Sequence, residues 1–257
     1  MEPFFGGGGM YFGVLPKVAI VNDINSQLIN FHKMVRDNPR ELRENVERLK
    51  GWDICSRELF MQRRTEYNAL LNEDVLSTES AAYFYWLNRH CFNGLYRVNP
   101  RGEFNVSWNK EEDISKSINS ILPSIERFEE MSKALKNADI LCGDFRALEE
   151  RISEGDIVFL DPPYLPDPKG GDFTSYTKDG FSMKDHRAVV ELAMKAVAKG
   201  AYVIATNNDS PLTREMWKGF HFHEYSTSQC ICPGRKRVEV AMTSWKPDQL
   251  DTIDRFC

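Results

Sequence analysis

The stretch GDIVFLDPPY, Gly155 to Tyr164, decides how the rest of the sequence is read. Ile157, Val158, Phe159 and Leu160 form a short apolar run bounded by turn formers, which predicts a strand buried on both faces. The run stops on Asp161, Pro162, Pro163 and Tyr164. Each proline fixes its own φ and pushes the preceding residue toward extended geometry. The Asp161 carboxylate and the Pro162 carbonyl are therefore expected to project rigidly from the carboxyl end of a strand, beside a phenol ring. Two fixed acceptors next to an aromatic face suit a flat ring carrying an exocyclic amine. A lone Asp-Pro-Pro is better read as a Pro-rich turn after a core strand, so the surrounding sequence has to choose.

The chain has 257 residues, enough for one large α/β domain or a domain carrying an insert. At 42% hydrophobic and 28% charged it has the composition of a globular protein. No apolar run has the length of a membrane span, and no basic-then-apolar leader opens the sequence. Six cysteines lack paired metal spacing, and Cys230 and Cys232 read as free thiols, so no metal is expected and a reduced, cytoplasmic setting is. A net charge of −5 argues against indiscriminate nucleic-acid binding but leaves room for a basic groove.

Near the start, EPFFGGGG (Glu2 to Gly9) offers a glycine turn whose N–H groups can close on a ligand, although such turns also serve as plain tight bends. Val18 to Val21 read as a strand leading to Asn22, Asp23, Ile24 and Asn25. Asp23 follows the glycines at roughly the ~20-residue distance at which nucleotide-binding α/β folds place an acid on a ribose diol. Asp23 or Asn25 can equally cap a helix over 26–35. From Asp37 to about Asn137 the sequence is mainly helical, with helices opening at Asn38-Pro39, Ser56 and Thr78, the last so aromatic that it reads as core. Helical sequence resumes near Asp113, with Pro123 in a first-turn position. Within this region FNGLYRVNPRGEFNV (Phe92 to Val106) combines turn dipeptides with polar donors and predicts an exposed hairpin; a polar surface loop is the plain alternative.

Strand–helix alternation then returns: a strand at Ile140 to Cys142, the strand before Asp161, a long polar loop over 165–180, and a helix capped by Ser182 with Asp185. A strand over 202–205 ends in Thr206, Asn207, Asn208 and Asp209, and two last strands flank Pro233-Gly234. The pattern predicts an α/β fold, a mostly parallel sheet with helices on both faces, interrupted by a helical insert. Asp23, Asp144 and Asp161 at three strand ends are expected to converge on one crevice with the glycine turn. The chemistry that fits is attack by an amine on an activated carbon. Accepting both protons of an adenine amine, at Asp161 and at the Pro162 carbonyl, frees a lone pair otherwise delocalised into the ring.

In motif order the chain resembles the Dam-type S-adenosylmethionine-dependent DNA adenine-N6 methyltransferases. The matching pieces are EPFFGGGG, NDIN (Asn22 to Asn25), FNGLYRVNPRGEFNV, GDF (Gly143 to Phe145), DPPY (Asp161 to Tyr164) and FTSYTKDGF (Phe173 to Phe181). The segment GRKRVEVAMTSW (Gly234 to Trp245) matches more loosely. The resemblance implies a Rossmann-like methyltransferase domain over 1–36 and 137–257 and a helical DNA-recognition insert over 37–136, with its hairpin near 92–110. It implies S-adenosylmethionine at Glu2, Pro3, Phe4, Gly6, Gly8, Asp23, Asp144, Phe145 and Asp161. The target base falls to Asp161, Pro162, Pro163 and Tyr164, and DNA to Asn93, Arg97, Asn99, Arg101, Asn105 and Tyr176. Duplex DNA is the implied partner, entered by base flipping; a companion restriction endonuclease and a monomeric state are further expectations.

The sequence departs from the family in two places. Members carry a WAGGK-like segment and a strand ahead of the glycine turn, and neither precedes Met1. Unpaired backbone groups in the core and a missing wall of the cofactor site are therefore expected. After Val106 the chain continues Ser107-Trp108-Asn109-Lys110, so the hairpin looks trimmed and a target sequence does not carry over. Two other readings stand beside the enzyme. One is a non-catalytic DNA-binding remnant; the other is methylation of RNA or a protein amide, against which Asp161 and the long insert weigh.

Overall fold

The computed structural model describes residues 1–51, 55–109, 122–165, 180–228 and 236–246. In chain order its first elements are α1 (Gly9–Val14), β1 (Ala19–Asp23), α2 (Ser26–Asp37), α3 (Pro39–Arg48), α4 (Arg57–Asn72), α5 (Thr78–His90) and α6 (Ile125–Leu135). They are followed by β2 (Ala138–Cys142), β3 (Ile157–Leu160), α7 (Met183–Ala198), β4 (Tyr202–Asn208), α8 (Pro211–Met216), β5 (His221–Ser228) and β6 (Lys236–Thr243). Short 3₁₀ turns cover Phe92–Gly94 and Phe145–Arg151. By contacts the described residues form two compact units, one drawn from 1–24, 141–165 and 180–246, the other from 25–140. The first boundary falls twelve residues before the predicted 36/37, because α2 packs on α5 and α6 and so belongs to the helical unit. No helix among the described residues is long and apolar enough to cross a membrane.

In the first unit, β3 and β4 pair in parallel with Leu160 opposite Ala205, while β4–β6 and β6–β5 are antiparallel. The sheet is thus mixed, parallel at β3–β4 and antiparallel from β4 outward. Val158, Leu160, Val203 and Ala205 share a buried cluster with Val189, Leu192 and Ala196 of α7. Ser182 caps α7 through the predicted box with Asp185. The strand before Asp161 is not buried on both faces as its apolar run predicts. Val158 and Leu160 are fully buried, but Ile157 is 42% exposed. The alternate face of this short strand lies outside the cluster that α7 seals.

The expected gap beside β1 is bridged at the level of Met1 and Glu2. The Met1 N–H donates to Ile157 O at 2.6 Å, and Phe159 N–H donates to Met1 O at 2.9 Å. Glu2 N–H donates to Ile20 O and Asn22 N–H to Glu2 O, each at 2.8 Å, a parallel bridge to Val21. Two residues therefore hold β1 to β3, and the neighbouring backbone groups of both strands are paired there rather than orphaned.

The helical unit is built around α5, against which α2, α3 and α4 pack. Ala81, Trp86 and Leu87 are fully buried, Trp86 lies along Phe60, and its indole N–H donates to Lys50 O at 2.8 Å. Pro123 does not enter a first turn: Ser124 is the cap of α6, its hydroxyl accepting from Arg127 N–H, and Pro123 precedes it. Asp113 lies outside the described residues. The segment after α5 forms a hairpin bridged at Val98–Phe104 and Cys91–Trp108. It is pinned by Asn68 of α4, whose side chain accepts from Phe104 N–H at 2.8 Å and donates to Phe104 O at 3.2 Å. Replacing Asn68 by Ala leaves both main-chain groups of a buried residue without these partners, so Asn68→Ala is expected to lower stability by about 1–3 kcal/mol in urea denaturation. An unchanged midpoint would contradict this pinning role.

Candidate active site

At the end of β3 the two prolines supply no N–H, so the ladder to β4 stops after Leu160. The chain is caught again at Leu165, whose N–H donates to Asn207 Oδ1 at 3.0 Å and whose carbonyl accepts from Asn208 Nδ2 at 3.1 Å. Both asparagines are buried, so residues 161–164 form an arch fixed at its two feet. On the arch the Asp161 carboxylate accepts the Thr206 hydroxyl. Among the described residues the Pro162 carbonyl accepts no hydrogen bond. Asp161 is open to solvent along one side yet otherwise enclosed by protein. That enclosure raises its pKa, the Thr206 hydrogen bond lowers it, and the Glu239 charge raises it again. The Tyr164 hydroxyl donates to Glu239 Oε2 at 3.1 Å, and burial with the Asp161 and Glu239 charges holds the phenol in its protonated form.

The glycine turn begins at Pro3. Asn22 of β1 spans it, its Nδ2 donating to Pro3 O at 3.1 Å and to Gly143 O at 3.0 Å. Asp23 Oδ2 accepts Gly6 N–H at 2.9 Å, while Asn25 is the residue that caps α2, accepting from Gln27 and Leu28 N–H. Asn25 rather than Asp23 therefore caps this helix, and the Asp23 carboxylate engages the glycine turn. A Cβ placed on Gly6, Gly7 or Gly9 would meet nothing within 4 Å, so open space lies before the turn. At Gly8, where φ is +71°, a Cβ would strike the Phe12 and Phe5 rings at 2.8 and 2.9 Å; this glycine is required for packing. Phe4 packs on Phe145 with ring centres 5.0 Å apart, and Phe181 closes the cluster at 6.0 Å from Phe4. Asp144 caps the 3₁₀ turn that follows it and pairs with Arg146 at 2.8 Å.

Glu2 is 8% exposed. Burial raises its pKa to about 7, with the Met1 ammonium lowering it and the Asp161 charge raising it. Glu2, Asp23, Asp144, Asp161 and the Phe4–Phe145 pair all lie in the first unit. The described residues assigned to DNA lie in the other. Asn93 is exposed in a left-handed turn, and Arg97 is exposed with its Nε donating to Asn105 Oδ1 at 2.8 Å. Asn99 closes the hairpin turn: its Oδ1 accepts from Arg101 and Glu103 N–H, and its Nδ2 donates to Glu103 at 2.7 Å. Arg101 is exposed at that turn, and Tyr176 lies outside the described residues. A cavity of about 560 Å³ in the helical unit, lined among others by Glu41, Arg48, Arg63 and Tyr83, includes none of these positions. Sequence reading missed Thr206, Asn207 and Glu239. The polar run closing β4 was its one visible signal, since cross-strand register brings these residues to the arch.

Residues 1–230 match the family model of the D12 class N6 adenine-specific DNA methyltransferases. The type II methyltransferase M1.LlaDCHI of Lactococcus lactis subsp. cremoris is 34% identical over 89% of this chain and 78% of its own length. The type II methyltransferase M.MjaIII of Methanocaldococcus jannaschii is 32% identical over 93% of this chain and 84% of its own. A DNA adenine methylase of Escherichia coli strain K12 is 29% identical over 96% of this chain and 86% of its own. The chain belongs to the D12 class of N6 adenine-specific DNA methyltransferases. Its activity is methylation of DNA adenine at N6.

The Glu2 carboxyl gives a pH test. Its folded pKa of about 7 exceeds the ordinary value of 4.5, so between these values the folded chain holds a proton that the unfolded chain has lost. Its contribution to stability therefore falls as pH rises through that window, by about 3 kcal/mol at most. Relative to wild type, Glu2→Gln is expected to gain stability between pH 5 and pH 8 in urea titrations. A difference that stays constant across that range would contradict the buried-acid reading.

Proposed function

We propose that the first unit is a Rossmann-like methyltransferase domain binding S-adenosylmethionine, and that the helical unit is an inserted DNA-recognition domain presenting the 92–110 hairpin. S-adenosylmethionine supplies an electrophilic sulfonium methyl. Gly6 and its neighbours would cradle the cofactor, Asp23 would hold its ribose, and Phe4, Asp144 and Phe145 would flank its adenine. Glu2 would ionise beside a cationic group, which lowers a carboxyl pKa.

The observation that supports this reading is the arch, whose Asp161 carboxylate is held by Thr206 and whose far foot is fixed at Leu165. A flipped adenine would donate one N6 proton to each oxygen while its ring stacks on Tyr164. The nitrogen lone pair would then be freed for attack, and the Asp161 carboxylate would oppose the positive charge that grows on the amine. Rigid feet on the arch place the acceptors before the base arrives. On the hairpin, Arg97, Arg101 and Asn93 would meet phosphates and base edges of duplex DNA, with Asn99 and Asn105 setting their geometry.

Labelled S-adenosylmethionine with duplex DNA free of adenine methylation is expected to yield N6-methyladenine as the sole labelled base. Asp161→Ala should lower kcat at least about 100-fold, the scale of losing one preorganised charge-stabilising group. Cofactor affinity, read by calorimetry, should change far less. Label on cytosine, or an Asp161→Ala rate near wild type, would overturn the mechanism.

A further inference from the structure

Glu239 of β6 has no place in the acceptor scheme above, yet it touches the arch. Its Oε2 accepts two phenol hydroxyls, from Tyr164 at 3.1 Å and from Tyr225 at 3.2 Å. Tyr225 and Glu239 are direct cross-strand partners on β5 and β6, and Ala241, two residues further along β6, stands opposite Thr206. Glu239 therefore lies on the sheet face where Thr206 meets Asp161. The intervening Val240 points the other way, fully buried in the core. The core does not need a charge at residue 239, and a carboxylate there repels Asp161. A neutral acceptor would hold two phenols without that repulsion, which argues that the charge serves the site.

We infer that Glu239 is a positioning residue for methyl transfer: braced by Tyr225, it fixes the plane of the Tyr164 ring against which the target base stacks, and its charge strengthens Asp161 as an acceptor. This rests on the adenine-methyltransferase reading above. The two parts separate by substitution. Glu239→Gln keeps an oxygen for the Tyr164 hydroxyl and removes the charge, whereas Glu239→Ala removes both.

The titratable groups that act on Asp161 are Glu2, Glu239, Tyr164 and Tyr225. Removing the Glu239 charge should let Asp161 ionise at lower pH. The acid limb of the kcat/KM profile for Glu239→Gln is therefore expected to move to lower pH, and its plateau to fall below wild type, though by less than in Glu239→Ala, because the charge that strengthens Asp161 is gone. Glu239→Ala should lose at least tenfold in kcat with unchanged cofactor affinity. In a double-mutant cycle with Tyr164→Phe its loss should be strongly non-additive, because both changes break one hydrogen bond. Wild-type methylation with an unmoved acid limb in Glu239→Gln, or with additive losses in the cycle, would overturn this inference alone. Absence of adenine methylation by wild type would instead overturn the reading beneath it.

Discussion

The site depends on a constraint imposed by two prolines. A strand that runs into Pro162-Pro163 cannot extend its ladder, because neither residue has an N–H to give. In this chain β3 leaves the sheet at Leu160 and is caught again at Leu165 by Asn207 and Asn208. Between these anchors the prolines fix φ, and Asp161 and Tyr164 are each tied to a neighbouring strand, at Thr206 and Glu239. Groups held this firmly would lose little entropy on binding a base and would need little reorganisation as charge develops.

Rigidity at the arch is matched by openness at the glycine turn. Gly8 is packed so closely that a side chain would collide with Phe5 and Phe12, while the space before Gly6, Gly7 and Gly9 is clear. The turn is anchored at Asn22 and Asp23, so the end of β1 sets its course. Met1 and Glu2 carry the connection from β1 to β3, which places a buried acid near Asp161.

Much of this was legible in the sequence because it is local. Ser56, Ser77 and Ser182 cap helices that begin where polarity and periodicity change. DPPY specifies its own geometry through proline, and the hairpin after α5 is written in its turn residues. What the sequence did not reveal depends on register and packing. Thr206 and Glu239 reach the arch only because β4 and β6 pair with Thr206 opposite Ala241. The transfer of α2 to the helical unit follows from which face of α5 it meets, and the one-sided burial of β3 from the cluster that α7 forms. The pairing of Met1 and Glu2 across β1 and β3 is likewise a tertiary fact that strand propensity does not encode.

The central claim is that two oxygens of the arch receive the two protons of the reacting amine. A crystal structure with duplex DNA and a non-reactive cofactor analogue tests it most directly. The account predicts a flipped adenine whose N6 lies about 3 Å from both an Asp161 carboxylate oxygen and the Pro162 carbonyl. An adenine amine seated elsewhere, with either oxygen left unengaged, would contradict it.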